Sequence, residues 1–561
     1  MSEQSSRNER IVAYAVFFLT LLLRVVYIVR YRFDSDETQH LHVVWGWAHG
    51  LLQYRDVFDN HAPLFHLLCV PLYKMVGDNP VVLFAMRLAM LPIFIMVLWC
   101  VFLIGREIYS SRAGLWAAVF TALFFPFFFK SMEFRTDNLW TFLWLLSIVI
   151  FIRGPLKVGK CFAAGFLLGA AMGVSMKTTL LVTSLAAGAL VTFLFSPARY
   201  LANYGARRLC IYAAAVLAGL SVVPAALVLY FYWLGDLGPF FYGTIGHNVF
   251  HGIGLWHKFY TRVFIFPAAL ALLYGGARII AGNMAHQGRR ARWIFIFFTG
   301  GIYVAALKAF WPVQELQHYL PFYPLFVVIL TQAILSYDVV LIAHYPVRRW
   351  RAFLFPGWGL VSLTIFLEVI SILALGEGAP WHDRTQQDMQ LLRDVLQLTE
   401  PGDYVADLKG ETIFRQRSPY YIMEKITRER IRRGLLTDDI PERLIATRTC
   451  VAALDSKVNF SVRARAFIVD NYIPIGSLRV AGKLLQPDTE KNSSISFDVR
   501  VPASYVVINK NGHIVGTLDG TPYTGARFLQ AGHHELHLSA PYHGCALLWE
   551  RAYERGYSPF I

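Results

Sequence analysis

The sequence predicts a polytopic α-helical membrane protein of about eleven transmembrane helices, followed by a C-terminal extracytoplasmic domain of α/β plus β-sandwich-like character. Three observations carry that prediction. Of 561 residues, 56% are hydrophobic and only 16% charged, with a mean hydropathy of +0.45, which leaves an ordinary soluble enzyme too little polar surface. Apolar runs of spanning length recur up to residue 376, and beyond it the composition turns to that of a soluble domain. Lysines and arginines stand in short clusters between the apolar runs, so the net charge of +15 reads as an orientation signal. No basic stripe interleaved with aromatics is present, and a nucleic-acid partner is not expected.

The predicted spans fall at 11–31, 80–105, 113–129, 137–152, 161–176, 178–196, 209–233, 259–281, 293–310, 319–342 and 352–376. A further apolar run, 62–76, is short, begins with Pro63 and carries His66 and Lys74. If it does not cross, the basic clusters at Arg106/Arg112, Arg153/Lys157/Lys160, Arg199/Arg207/Arg208, Arg289/Arg290/Arg292 and Arg348/Arg349/Arg351 all face one side. The positive-inside rule makes that side cytoplasmic, together with the N-terminus. The run 62–76 is therefore read as a re-entrant or surface-lying helix within a long external loop, 32–79. In the same loop, apolar residues at helical spacing over 38–52 predict an interfacial helix.

No cleavable signal peptide is read at the first apolar run, because no small-residue cleavage site follows it. The expected organisation is thus a transmembrane catalytic domain, 1–376, in the inner (plasma) membrane with its N-terminus cytoplasmic. A mixed α/β extracytoplasmic (periplasmic) region, 377–493, follows it, and a small antiparallel β-module, 494–561, comes last. Helices are expected at 383–398 and 424–433 and a buried strand at 404–407, while alternation from Ser494 to Val501 predicts strands. Cys450 and Cys545, in the polar C-terminal region, could form a bridge in an oxidising compartment.

Chemistry is expected where acids meet the external face. Asp34-Ser35-Asp36-Glu37 ends the first span, and Glu133-Phe134-Arg135-Thr136-Asp137 returns at the external end of the third. Carboxylates there can take a proton from an acceptor hydroxyl or amine, and Asp36, Glu37 and Asp137 are the candidate ligands of a divalent cation if one is used. The structural alternatives are a solvated helix cap at Asp34 and an N-cap at Asp137. Arg24, Arg135 and Lys177 bring cations to the same surface, as a phosphate leaving group requires, although Arg24 could instead snorkel to the interface. His61 and His318, the latter followed by Tyr319, are the loop histidines singled out.

Arg24, Asp36-Glu37, Gly50, Tyr54-Arg55-Asp56, His61-Ala62-Pro63-Leu64, Arg135-Thr136-Asp137, Lys177 and His318-Tyr319-Leu320-Pro321, in that order, resemble membrane glycosyltransferases of the GT-C class. Within it, the sequence is similar to the protein O-mannosyltransferase and aminoarabinose transferase family over roughly residues 10–340. The resemblance implies a polyprenyl-phosphate sugar donor, transfer on the external face, and Asp36 as the principal acidic residue with Glu37 adjacent. It implies Asp137 as a second acidic site and Lys177 facing the donor phosphate. Arg24, Asp34, Asp56, His61, Arg135, His318 and Tyr319 join Lys177 as candidate substrate-binding residues. Where relatives often carry paired prolines after the loop histidine, this chain has Ala62-Pro63.

The sequence is therefore expected to encode an inverting glycosyltransferase embedded in membrane lipids, with a lipid, glycan or protein acceptor. The alternative is a transporter or flippase for lipid-linked sugars. Transporters place ionisable groups near the midplane, often in repeated halves, whereas here the acids gather at one face and no halves repeat.

Overall fold

The computed structural model describes residues 3–250, 286–344, 359–375, 379–453, 460–485, 494–538 and 544–560, with isolated positions from 258 to 276. It divides into two units. Met1–Arg32, Asn60–Cys69 and Phe84–Asp383 make the first, and Phe33–Asp59, Val70–Leu83 and Arg384–Ile561 the second. The external loop predicted to belong with the transmembrane part is thus largely grouped with the C-terminal region.

Along the chain run α1 (Glu3–Arg30), α2 (Ser35–Ala48), α3 (Leu64–Val76), α4 (Val82–Ile108), α5 (Ser111–Leu123), α6 (Phe125–Lys130), α7 (Thr136–Ile152), α8 (Val158–Val174), α9 (Thr178–Phe195) and α10 (Pro197–Trp233). Gln287–Phe310, Tyr323–His344 and Gly359–Ile370 continue the helical part. Among the described residues, five helices are long and apolar enough to cross a membrane: Arg7–Arg30, Val82–Ile108, Thr178–Phe195, Tyr200–Trp233 and Gln287–Phe310. Shorter apolar helices include Thr136–Ile152 and Val158–Val174. The predicted span 259–281 lies largely outside the described residues.

The predicted run 113–129 is broken. Pro126 has no N–H to donate to the preceding turn, so α5 stops at Leu123, Phe124 turns extended at ψ 111°, and α6 starts afresh with the proline in its first turn. In the first unit, α8 packs on α10 through small residues. A Cβ on Gly165 would lie 2.1 Å from the Val216 carbonyl oxygen, so only glycine lets the two backbones approach this closely.

The second unit holds two sheets on one core. In the larger, Ala503–Asn509 pairs antiparallel with Cys545–Trp549, which pairs antiparallel with Leu478–Leu485. The sheet continues through Val451–Ala452 to Tyr404–Ala406 and Gln416–Arg417, the last two joins being parallel. The smaller sheet is antiparallel and contains Ser494–Val499, Gly516–Leu518, Thr521–Tyr523 and Gly532–Leu538. Alternation in Ser494–Val499 turns Ile495, Phe497 and Val499 inward, where they join Val480, Val507 and Leu547 in a shared core. The boundary expected at 493/494 therefore does not separate two sheets, because the returning strand Cys545–Trp549 inserts between the two regions. Cys450 and Cys545 are both buried free thiols in this core, so the bridge considered for them is not formed.

Candidate active site

In the second unit the site is built from the start of α2. Asp34 is its N-cap: the side chain accepts a hydrogen bond from the Asp36 N–H at 3.0 Å, and its own N–H donates to Glu37 Oε1 at 2.9 Å. This reciprocal capping box satisfies helix-end donors that would otherwise be orphaned. It gives Asp34 and the buried Glu37 structural work and leaves Asp36 at the second helical position. A carboxylate there is favoured by the positive end of the helix.

The partner of Asp36 is Lys409, whose ammonium donates to Asp36 Oδ1. Lys409 stands in the turn Asp407-Leu408-Lys409-Gly410-Glu411-Thr412. The buried Asp407 carboxylate accepts from the N–H groups of Gly410 and Thr412, both at 3.0 Å, and from the Thr412 hydroxyl at 2.7 Å, and it pairs with Arg417. An aspartate that ties down the amides following it is a turn-former, and this one presents Lys409. Gly410, at φ +100°, lies against His42, where a Cβ would come 2.9 Å from that residue's Cβ. His42 Nδ1 is 2.8 Å from the Ile413 carbonyl oxygen, so α2 and the turn hold each other. Burial would lower the Lys409 ammonium's affinity for its proton, but Asp36, Asp34 and Glu424 outweigh it and raise the pKa above the ordinary lysine value.

Asp56 is exposed, forms an ion pair with Arg55 at 3.0 Å and accepts from the Leu52 N–H at 2.8 Å, which makes it a turn-holding residue here. Behind it, the buried Asp59 accepts from Gln39 at 2.8 Å and Gln53 at 2.9 Å.

The first unit carries the other acidic constellation. Asp137 is not the N-cap of α7; Arg135 occupies that position, and Asp137 points its carboxylate at Lys177, 2.7 Å away. Arg135 lies 3.6 Å from Asp137 and 2.8 Å from Glu133, which also accepts from Lys130 at 2.7 Å. Lys130, Arg135 and Lys177 set three cations against the two carboxylates Glu133 and Asp137, a surplus of one positive charge. Lys177 sits 5.0 Å over the Trp140 ring, and the Trp140 indole donates to Thr178 at 2.9 Å, which fixes the ring.

Arg24 does not snorkel. It is 1% exposed, donates to the Phe128 carbonyl at 2.9 Å and lies 3.8 Å over the Phe94 ring centroid. Its Nε and Nη2 have no hydrogen-bond partner among the described residues. His318 is buried with Nδ1 3.1 Å from the Val313 carbonyl, and its own carbonyl accepts from Tyr303 at 2.6 Å. The Tyr319 hydroxyl donates to Gln314 at 2.8 Å, and His61 is half-buried before α3.

No family model and no curated protein matches the sequence. Solved structures do. ArnT, the aminoarabinose transferase of Cupriavidus metallidurans, aligns in its apo state with a TM-score of 0.54 and 12% identity, covering 85% of this chain and 98% of that one. The fold resembles that of ArnT. The ArnT structure bound to undecaprenyl phosphate aligns equally well, at a TM-score of 0.53 and 12% identity over 86% and 98% of the two chains. The oligosaccharyltransferase AglB from Archaeoglobus fulgidus, in complex with an inhibitory peptide and a dolichol-phosphate, aligns at 0.40 with 12% identity over 73% and 64%. Together with its long apolar helices, the ArnT-like fold makes the chain an integral membrane protein with a strand-containing C-terminal domain.

The sequence pointed to Asp36, Asp137, Lys177, Arg135 and Arg24 but missed Lys409. The turn chemistry of Asp407 to Thr412 was readable, yet nothing in the spacing ties residue 409 to a carboxylate 373 positions earlier. The candidate metal ligands are each engaged: Asp36 by Lys409, Glu37 by the cap, Asp137 by Lys177 and Arg135. Engaged in this way, these three carboxylates do not by themselves make a prepared cation site.

Proposed function

We propose that this chain is an inverting glycosyltransferase that moves a sugar from a polyprenyl-phosphate donor to a lipid, glycan or protein acceptor on the extracytoplasmic face. The N-terminus is then cytoplasmic and the strand-rich domain outside. The observation that carries the reading is Asp36, a carboxylate on the first turn of α2 paired with the half-buried Lys409. It is supported by the fold held in common with ArnT, which binds undecaprenyl phosphate.

In the reaction, Asp36 takes the proton of the acceptor O–H or N–H while that atom bonds to the anomeric carbon. The bond from anomeric carbon to phosphate oxygen breaks, its electron pair leaves with the polyprenyl phosphate, and the configuration inverts. Arg24 and Lys177 are assigned to the phosphate, whose growing charge is stabilised by fixed cations in a medium of low dielectric. Asp137 and Arg135 hold Lys177 in place.

The test is Asp36→Asn in membranes supplied with polyprenyl-phosphate sugar. Transfer is expected to fall by roughly 1000-fold, in the range for loss of a general base. Full retained transfer would falsify the role of Asp36, and retained lipid-sugar translocation without transfer would favour the flippase reading. Mass spectrometry of envelope lipids and glycans with and without the gene identifies the sugar and the acceptor.

A further inference from the structure

We propose that Lys409 is a positioning residue for Asp36, so that the C-terminal region completes the catalytic site. This inference rests on the assignment of Asp36 as the base. A carboxylate on the first turn of a helix can rotate about its side-chain bonds, and proton abstraction needs one oxygen aimed at the acceptor. Lys409 engages Oδ1 and so sets the direction in which the carboxylate faces. Because the pair is only 19% exposed on both sides, neither partner is solvated well enough for the contact to be incidental.

The turn that delivers Lys409 is itself fixed. Asp407 ties Gly410 and Thr412, the Lys409 N–H donates to Glu411 at 2.7 Å, and Gly410 lies against His42 of the helix that carries Asp36. The ammonium and the carboxylate are thus set on two elements that dock on each other. Asp34 and Glu424 also face Lys409, and their charges hold it protonated as a donor.

The prediction separates orientation from substrate binding. Lys409→Met in the full-length protein is expected to lower kcat by roughly 100-fold, the scale of a misaligned catalytic group. Binding of polyprenyl phosphate should stay within about twofold of the parent, since the residue acts through Asp36 and not on the donor. Lys409→Arg, which keeps the charge and the donors, should restore most of kcat. Gly410→Ala keeps the lysine side chain but forces the turn that carries it away from His42, and should reproduce the kcat loss with donor binding intact.

Unchanged kcat in Lys409→Met, alongside an inactive Asp36→Asn, would overturn the role of Lys409 and leave Asp36 standing. Full activity in Asp36→Asn would remove both assignments. Weakened polyprenyl-phosphate binding at unchanged kcat would make Lys409 a donor ligand and overturn positioning. A monodisperse, cooperatively melting Lys409→Met protein without rescue by arginine would also count against it.

Discussion

Among the described residues two lysine–aspartate pairs stand out, one in each unit, the first enclosed and the second half-buried. Asp137–Lys177 joins residues 40 apart, its side chains are 3% and 5% exposed, and Arg135, Glu133, Lys130 and Trp140 surround it. Asp36–Lys409 joins residues 373 apart, is 19% exposed on both sides, and is held by a capping box and a turn. In the enclosed pair, Lys177 and Arg135 both face Asp137. With Lys130, Arg135 and Glu133 around it, the cluster carries one positive charge in excess. The half-open pair sets its aspartate on the first turn of a helix, and under the proposed function that is the carboxylate the acceptor meets. Burial and backing, more than residue type, separate a fixture from a reactive group.

The contrast predicts graded effects on stability. Lys177→Met strips a buried carboxylate of its main partner and should destabilise the protein by about 3 to 5 kcal/mol, read as a lowered melting temperature in detergent. Replacing both partners at once, as Asp137→Leu with Lys177→Met, should recover part of that loss. A single variant as stable as the parent would break the contrast.

His42 tests the platform under the second pair. Burial pushes its imidazole down to about 4, with Arg417 adding to the shift and Asp407 and the Ile413 carbonyl opposing it. Above pH 6.5 the ring is neutral folded or unfolded. As pH falls from about 6.5 towards about 4, the unfolded chain takes up a proton that the folded protein does not. Stability is therefore lost on acidification by up to about 3 kcal/mol from this group. His42→Gln, which can still donate to the Ile413 carbonyl, should flatten the pH dependence of melting in that window. An unchanged slope would show that the platform does not depend on a neutral His42.

The smallest effect is expected at the cap. Asp34→Ala should cost about 1 kcal/mol, with the loss confined to the start of α2. A larger loss of transfer than of stability would mean that Asp34 also meets substrate.

Asp137 and Lys177 were each legible as candidate residues because both stand at ends of apolar runs, where hydropathy and sidedness bring them to one depth, but the bond between them was not. Asp34-Ser35-Asp36-Glu37 was legible as a cluster, but the division of labour within it was decided by the helix, whose N3 position turns Glu37 back to the cap. Strand pairing crosses the predicted boundary between 493 and 494 because β-pairing is non-local. Periodicity marks a strand without naming its neighbour, and Cys545–Trp549 returned to pair with Leu478–Leu485.

By itself, then, the sequence determined a membrane protein with many apolar helices, a soluble C-terminal region and acids gathered at loop ends, since these follow from composition, period and charge along the chain. Only the tertiary structure decided that Lys177 is bound to Asp137, that the loop carrying Asp36 is grouped with the C-terminal region, and that Lys409 meets Asp36. Each of those is a contact between residues far apart in the chain, and its free energy depends on distance and burial that no local pattern encodes.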